Sequence, residues 1–111
     1  MAWTAKHRYA RIAERKARLV VDAIRGRDCD EAVEFLRFTH KRAGQMVDRV
    51  LKSAMASANE ASASMNDLFV SEARVDAGPI IKRWRPKDRG RAHPIFKRTS
   101  HIVVCVDQRK G

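Results

Sequence analysis

Cysteine and metal-ligand clusters are scarce in this chain, and acidic side chains are far outnumbered by basic ones. Its two cysteines, Cys29 and Cys105, lie far apart and outside any metal-like spacing. That excludes a disulfide framework and favours a reducing compartment. Cys105 lies in an apolar, strand-like run and is expected to pack as a small hydrophobe. The four histidines, His7, His40, His93 and His101, form no ligand pair, so no metal is expected. A Gly-rich phosphate loop, a nucleophile elbow and paired catalytic carboxylates are missing too. The acids Asp28, Asp30, Glu31 and Glu34 gather at a helix start, where the macrodipole accounts for them. No apolar run nears the roughly eighteen residues that span a membrane, and the amino terminus has no apolar signal core. The expectation is a soluble, cytoplasmic protein with no catalytic residues, no cofactor and no small-molecule substrate.

What the chain does have is positive charge. Against 13 acids stand 24 Lys and Arg, a formal +11 with a pI near 10.7. Residues 1–27 carry eight cations against two acids, residues 28–77 six against nine, and residues 78–111 ten against two. Two basic regions thus flank a near-neutral middle, which is expected to supply most of the core. A field of this size draws in polyanions, nucleic acid before an anionic membrane. With 111 residues, of which 44% are hydrophobic, the chain suits one domain spanning 1–111.

Hydrophobic periodicity orders the elements. Residues 3–10 alternate, with Trp3, Ala5, His7 and Tyr9 on one face and Thr4, Lys6 and Arg8 on the other, as in a half-buried strand. From about Glu14 the period becomes helical, with Ala13, Ala17, Val20, Val21 and Ile24 on one side and Arg15, Arg18, Asp22 and Arg25 on the other, until Gly26 stops the helix. Asp28 and Glu31 read as a capping box for a second helix. Thr39 reads as the cap of a third, whose stripe runs Ala43, Met46, Val47, Val50, Leu51, Ala54 and Ala58 and frays near Ser62. Residues 68–76 and 99–107 read as strands, the second rich in β-branched residues.

Between those strands the composition changes. Residues 80–98 hold Lys82, Arg83, Arg85, Lys87, Arg89, Arg91, Lys97 and Arg98 against the single acid Asp88. Pro86 and Pro94 flank Gly90 almost symmetrically. Extending both strands gives an antiparallel arm that turns near Asp88–Ala92 and reaches on the order of 30 Å. Trp84, Ile95 and Phe96 are too few to bury, and an isolated hairpin is marginal in water, so its order should come from an anionic partner. Arg grips phosphate with two bonds or stacks on a base. Phe96 and Trp84 suit unpaired bases, while Trp84 suits equally a cap on the domain's edge. Lys6, Arg8, Arg11, Arg15, Lys16 and Arg18 should crowd into a second phosphate surface.

The motifs Ala5-Lys6-His7-Arg8, Arg15-Lys16-Ala17-Arg18-Leu19-Val20 and Ile24-Arg25-Gly26 are followed by Val50-Leu51-Lys52-Ser53-Ala54, Gly78-Pro79, Gly90-Arg91-Ala92 and Lys97-Arg98-Thr99-Ser100-His101-Ile102. In this order and spacing, the chain resembles the bacterial large-subunit ribosomal protein family L twenty-two over nearly its full length. Ala13-Glu14 stands where that family often has Ser or Pro, which weakens the expected cap of the first helix. The resemblance implies an α+β fold, in which a small three-stranded antiparallel sheet packs on three helices and a long β-hairpin protrudes at about 80–98. It also implies a structural role in the large ribosomal subunit: binding large-subunit rRNA, supporting assembly, and lying beside neighbouring ribosomal proteins. Lys87, Asp88, Arg89, Gly90, Arg91, Ala92 and His93 would form the tip at the wall of the peptide exit tunnel, near the nascent peptide.

The rRNA-binding set is thus Lys6, Arg8, Arg11, Arg15, Lys16, Arg18, Lys82, Arg83, Trp84, Arg85, Lys87, Arg89, Arg91, Lys97 and Arg98. The rival reading is an architectural DNA-binding protein with a basic β-arm. Such arms carry an apolar wedge at the tip, whereas here the turn reads Arg89-Gly90-Arg91. Replacing Arg83, Arg85, Arg89 and Arg91 with Gln is expected to weaken rRNA binding and flatten its salt dependence. An unchanged slope in a binding titration across salt would mean these residues do not meet phosphates.

Overall fold

The structure is a computed structural model. It describes residues 2–39, 42–86 and 92–109, with residues 81–86 and 92–96 described by their backbone alone. Strand β1 (Ala2–Ala10) leads to helices α1 (Glu14–Ile24), α2 (Cys29–Arg37) and α3 (Arg42–Glu60). A short 3-10 turn (Met65–Asp67) enters strand β2 (Leu68–Pro86), which pairs with strand β3 (Ala92–Gln108). The sheet is antiparallel in the order β1-β3-β2, so the last strand lies in the middle. The helices pack on one face of the sheet. This is the expected α+β fold, three helices on a three-stranded antiparallel sheet.

Alternation along β3 explains the layering. Ile102, Val104 and Val106 enter the core with Val20, Val21, Ile24, Val47 and Leu51. Val103 and Cys105 face the other way, yet are nearly covered. Two β-bulges reset the alternation in the neighbouring strands. In β2, Val70 pairs with Val106 and Glu72 with Cys105, leaving Ser71 as the extra residue. Leu68 and Val70 therefore point inward before the bulge, and Ala73 and Val75 after it. In β1, both Arg8 and Tyr9 lie opposite His101 alone. Tyr9 takes a φ of 58° and turns outward, while Ala10 takes the buried place. Tyr9 was expected on the inner face with Trp3, Ala5 and His7, and the bulge overturns that.

The helix ends also depart from the sequence reading in part. Gly26 follows α1 with φ 82°, the conformation that Gly adopts most easily. Ala13 offers α1 no side-chain cap. Asp28 occupies the N-cap position of α2, but its side chain makes no capping bond. Arg109 Nε donates to it instead at 2.9 Å, and the Arg109 guanidinium lies 4.6 Å from the centre of the Phe69 ring. The bridge between Asp28 and Phe69, with bonds from Val70 N to Arg27 O and from Gly26 N to Val70 O, stitches this turn to β2. A stronger charged partner has displaced the capping box. The Thr39 hydroxyl donates to Phe35 O at 2.7 Å, closing α2 rather than opening α3. Residues 40 and 41, at the entry to α3, lie outside the described residues.

Beyond the three-stranded region, β2 and β3 continue as a two-stranded ladder from Ile80↔Arg98 to Pro86↔Ala92. These seven pairs span about 20 Å at 3.3 Å per residue. β1 ends its pairing at Ser100, so both strands of the ladder are edges there and tolerate Pro86 and Pro94. Ala92 belongs to the ladder rather than to the turn. The expected tip positions Lys87 to Arg91 lie outside the described residues. The ladder leaves the sheet at a second irregularity in β2, between Ala77 and Ile80. There Gly78 lies so close to Thr99 that a Cβ would come within 2.6 Å of its Oγ1. Thr99 Oγ1 in turn donates to the Pro79 carbonyl. The radius of gyration is 17.2 Å and the extents are 68 × 25 × 17 Å. A compact chain of this length would have a radius near 13 Å. No helix among the described residues is long and apolar enough to cross a membrane.

Cys29, at the first position of α2, is fully buried. Burial pushes its thiol up to about 11, and Asp30 and Asp28 add to the rise. A thiol that holds its proton more tightly when folded supports the fold below its unfolded pKa, near 9. That support is lost as pH rises through the folded value. The expected result is that the urea midpoint falls between about pH 9 and 11, and that Cys29→Ala removes this part of the fall. Alkylation of native Cys29 at pH 8 should be far slower than in urea; equal rates would contradict the burial.

Candidate nucleic-acid interface

Four separate stretches of the chain meet at the root of the hairpin. Arg11 follows β1 and is anchored by the buried Ile12. Lys16 lies in the first turn of α1, Arg42 begins α3, and Lys97 and Arg98 lie on β3 where the ladder leaves the sheet. Together with Ala13, Leu19 and Ala43 they line a cleft of about 920 Å³ that no carboxylate among the described residues enters. The cleft also takes in Ala13, the N-cap of α1, whose side chain makes no capping bond. The positive end of the helix thus adds to the side-chain charge. Leu19 is 60% exposed at its rim. Five cations around a concave, acid-free surface suit a phosphodiester backbone, with an apolar contact for sugar or base.

The sequence reading divides differently in space. Arg11 and Lys16, assigned to one surface, share this cleft with Lys97 and Arg98, assigned to the arm. Arg42 was missed: it ends the short basic run His40-Lys41-Arg42, but only the packing of α3 brings it to β3. Lys6 and Arg8 do not crowd with the helix cations. Lys6 pairs with Val103, on the sheet face opposite the helices, because directly paired residues share a face. There Lys6 and Arg8 line a smaller cleft with Tyr9, Asp76, His101 and Val103. Arg18 is engaged within the chain, donating to Glu14 and to the Val75 carbonyl, both at 3.1 Å. Arg15 is exposed on α1.

Along the arm, register fixes which positions share a face. Positions 82, 84 and 86 lie opposite 96, 94 and 92, and positions 81, 83 and 85 opposite 97, 95 and 93. The alternation therefore sets Arg83 and Arg85 on one face and Lys82 and Trp84 on the other. On the outer sheet face, Arg74 forms ion pairs with Glu72 and Asp76, and these acids hold its proton more firmly than usual.

Charge of the other sign collects elsewhere. Asp30, Glu31 and Glu34 of α2 line a separate cleft with Phe35, Phe38, Arg27 and Thr39. Arg27 lies 5.2 Å from the centre of the Phe35 ring, and Phe38 is 70% exposed. This surface repels phosphate, so the molecule has distinct cationic and anionic sides. Among the described residues no three His, Cys, Asp or Glu side chains gather as metal ligands would.

The sequence matches the family described as Ribosomal protein L22p/L17e over residues 5–107. It is 46% identical, over 112 aligned positions, to the large ribosomal subunit protein uL22 of Sorangium cellulosum (strain So ce56), covering 99% of this chain and 100% of that protein. An architectural DNA-binding protein finds no support in these likenesses. With the fold, the basic cleft and a match that runs from β1 to the end of β3, the chain belongs to the ribosomal protein L22p/L17e family.

Proposed function

We propose that the chain holds large-subunit rRNA in the cleft at the root of its hairpin and on the outer face of β1, and carries the hairpin to the wall of the peptide exit tunnel. Family membership makes it a structural constituent of the large ribosomal subunit. It is a ribonucleoprotein component of the translating ribosome in the cytoplasm, with rRNA and other ribosomal proteins as partners, and not an enzyme. The chain as a whole acts as one rRNA-binding unit, in which the helices and sheet form the base and the ladder the extension.

One observation carries the reading: Arg11, Lys16, Arg42, Lys97 and Arg98 converge with no carboxylate of the described residues among them. Such a cluster is self-repelling in the free protein and relaxed by phosphate. Each neutralised phosphate releases condensed counterions, so binding should be tight at low salt and fall steeply as salt rises. The arm continues from this anchor, and its remaining cations, Lys82, Arg83, Arg85, Lys87, Arg89 and Arg91, would meet rRNA along its length. Asp88, Gly90, Ala92 and His93, with Lys87, Arg89 and Arg91, would then reach the tunnel and the nascent peptide.

The test combines Arg42→Gln, Lys97→Gln and Arg98→Gln in the full chain. Affinity for a large-subunit rRNA fragment is expected to fall about tenfold or more near 0.1 M salt, and the log–log salt slope to shrink by about two to three. Co-sedimentation with large subunits in high salt should weaken in parallel. An unchanged slope would refute the cleft as the anchor. For the tip, a photoreactive residue in place of Arg91 should crosslink to nascent peptide in stalled ribosomes; crosslinks to rRNA alone would refute the tunnel placement.

A further inference from the structure

We propose that Tyr9 and His101 form a stacking site for one unpaired RNA base, with Lys6 and Arg8 holding the adjoining phosphates. The proposal rests on the rRNA-binding reading and gives it a specific residue outside both the hairpin and the root cleft.

The fold does not explain Tyr9. It is the extra residue of the β1 bulge and takes the left-handed φ of 58°. A bulky side chain adopts that conformation at a cost that Gly or Asn would lessen. Its ring buries little in return, since the residue is 62% exposed. Yet the site is held firmly. Tyr9 N–H donates to His101 Nδ1 at 3.1 Å, and the two rings meet edge to face at 4.9 Å and 85°. An edge-to-face contact covers at most one face of the Tyr9 ring and leaves the other to solvent. Strained backbone fixed in place by its surroundings is characteristic of sites that bind.

The surroundings select the ligand. The cleft beside Tyr9 measures about 210 Å³ and is lined by Lys6, Arg8, Asp76, His101 and Val103. That is room for a single base rather than a helix. Lys6 and Arg8 bring two positive charges to its edge and form no ion pair with another described residue. Phosphates of a single strand would lie against them while the base slides onto the ring. Asp76 is the one acid of the cleft. It accepts from Arg74 Nε at 3.3 Å through Oδ2. A carboxylate here repels phosphate and accepts hydrogen bonds only, so a base reaching it must turn an N–H toward it, an amino group of adenine, cytosine or guanine or the N3–H of uracil.

Tyr9 is the single tyrosine among the 111 residues, so ring-13C tyrosine labelling of the full chain gives one set of aromatic signals. Titration with an eight-residue oligoadenylate is expected to move those signals upfield, and oligouridylate of equal length, whose smaller base stacks more weakly, to move them less. Tyr9→Phe should bind oligoadenylate within about twofold of the parent. Tyr9→Gly, which suits the left-handed backbone, should keep the fold and lose about five- to a hundredfold in affinity. If oligoadenylate binds with a salt-dependent affinity while the Tyr9 signals stay put, or Tyr9→Gly binds as well as the parent, the stacking site is wrong and the rRNA-binding reading stands. Failure of the chain to bind either oligomer or an rRNA fragment overturns both readings.

Discussion

Everything in this molecule hangs on the central strand. β3 is paired on both sides, with β1 along Ser100–Asp107 and with β2 along nearly its whole length. Its inner residues Ile102, Val104 and Val106 are the floor on which the helices pack. The same strand continues past Thr99 into the basic arm, and its ladder to β2 shifts register at the Ser71 bulge and again at Gly78-Pro79. The arm is thus rooted in the best-buried element of the fold. A strand fixed by pairing on two edges and burial on one face transmits that fixity along its length, which a loop tethered at the surface does not.

The root of the arm is also where charge is concentrated, and the two facts are connected. Helix α1 begins and α3 begins beside the point where β3 leaves the sheet, so both helix starts bring their cations to Lys97 and Arg98. The acids are spent elsewhere: Glu14 on Arg18, Asp22 on Arg25, Asp28 on Arg109, Glu72 and Asp76 on Arg74. Most of these pairs are exposed and contribute little to stability. Their effect on charge distribution is larger, since these acids are paired away from the cleft and its cations have no carboxylate partner among the described residues. The acidic residues on α2 complete the division of charge.

Much of the fold was legible because it depends on local periodicity. The buried stripes of α1 and α3 follow the 3.6-residue repeat of Ala17, Val20, Val21 and Ile24 and of Val47, Val50, Leu51 and Ala54. The strand pattern of residues 99–107 was equally plain. Readings failed where one extra residue or one distant partner intervened. A bulge leaves no mark in a pattern of alternating residues, so Tyr9 was placed inside and the phase change at Ser71 went unseen. Asp28 has the spacing of a capping box, but Arg109, 81 positions away, takes its carboxylate.

By itself the sequence determined the charge, the classes of element and the existence of a long basic arm, because these follow from side-chain chemistry and short-range repeats. It also carried the motifs that place the chain among its relatives. Only the tertiary structure decided which cations act together. It joined Arg42 to Lys97 and Arg98, moved Lys6 and Arg8 to the other sheet face, and exposed Tyr9. Neighbourhood across a sheet is set by strand order, register and bulges, and these are properties of pairing between distant segments that no single segment encodes.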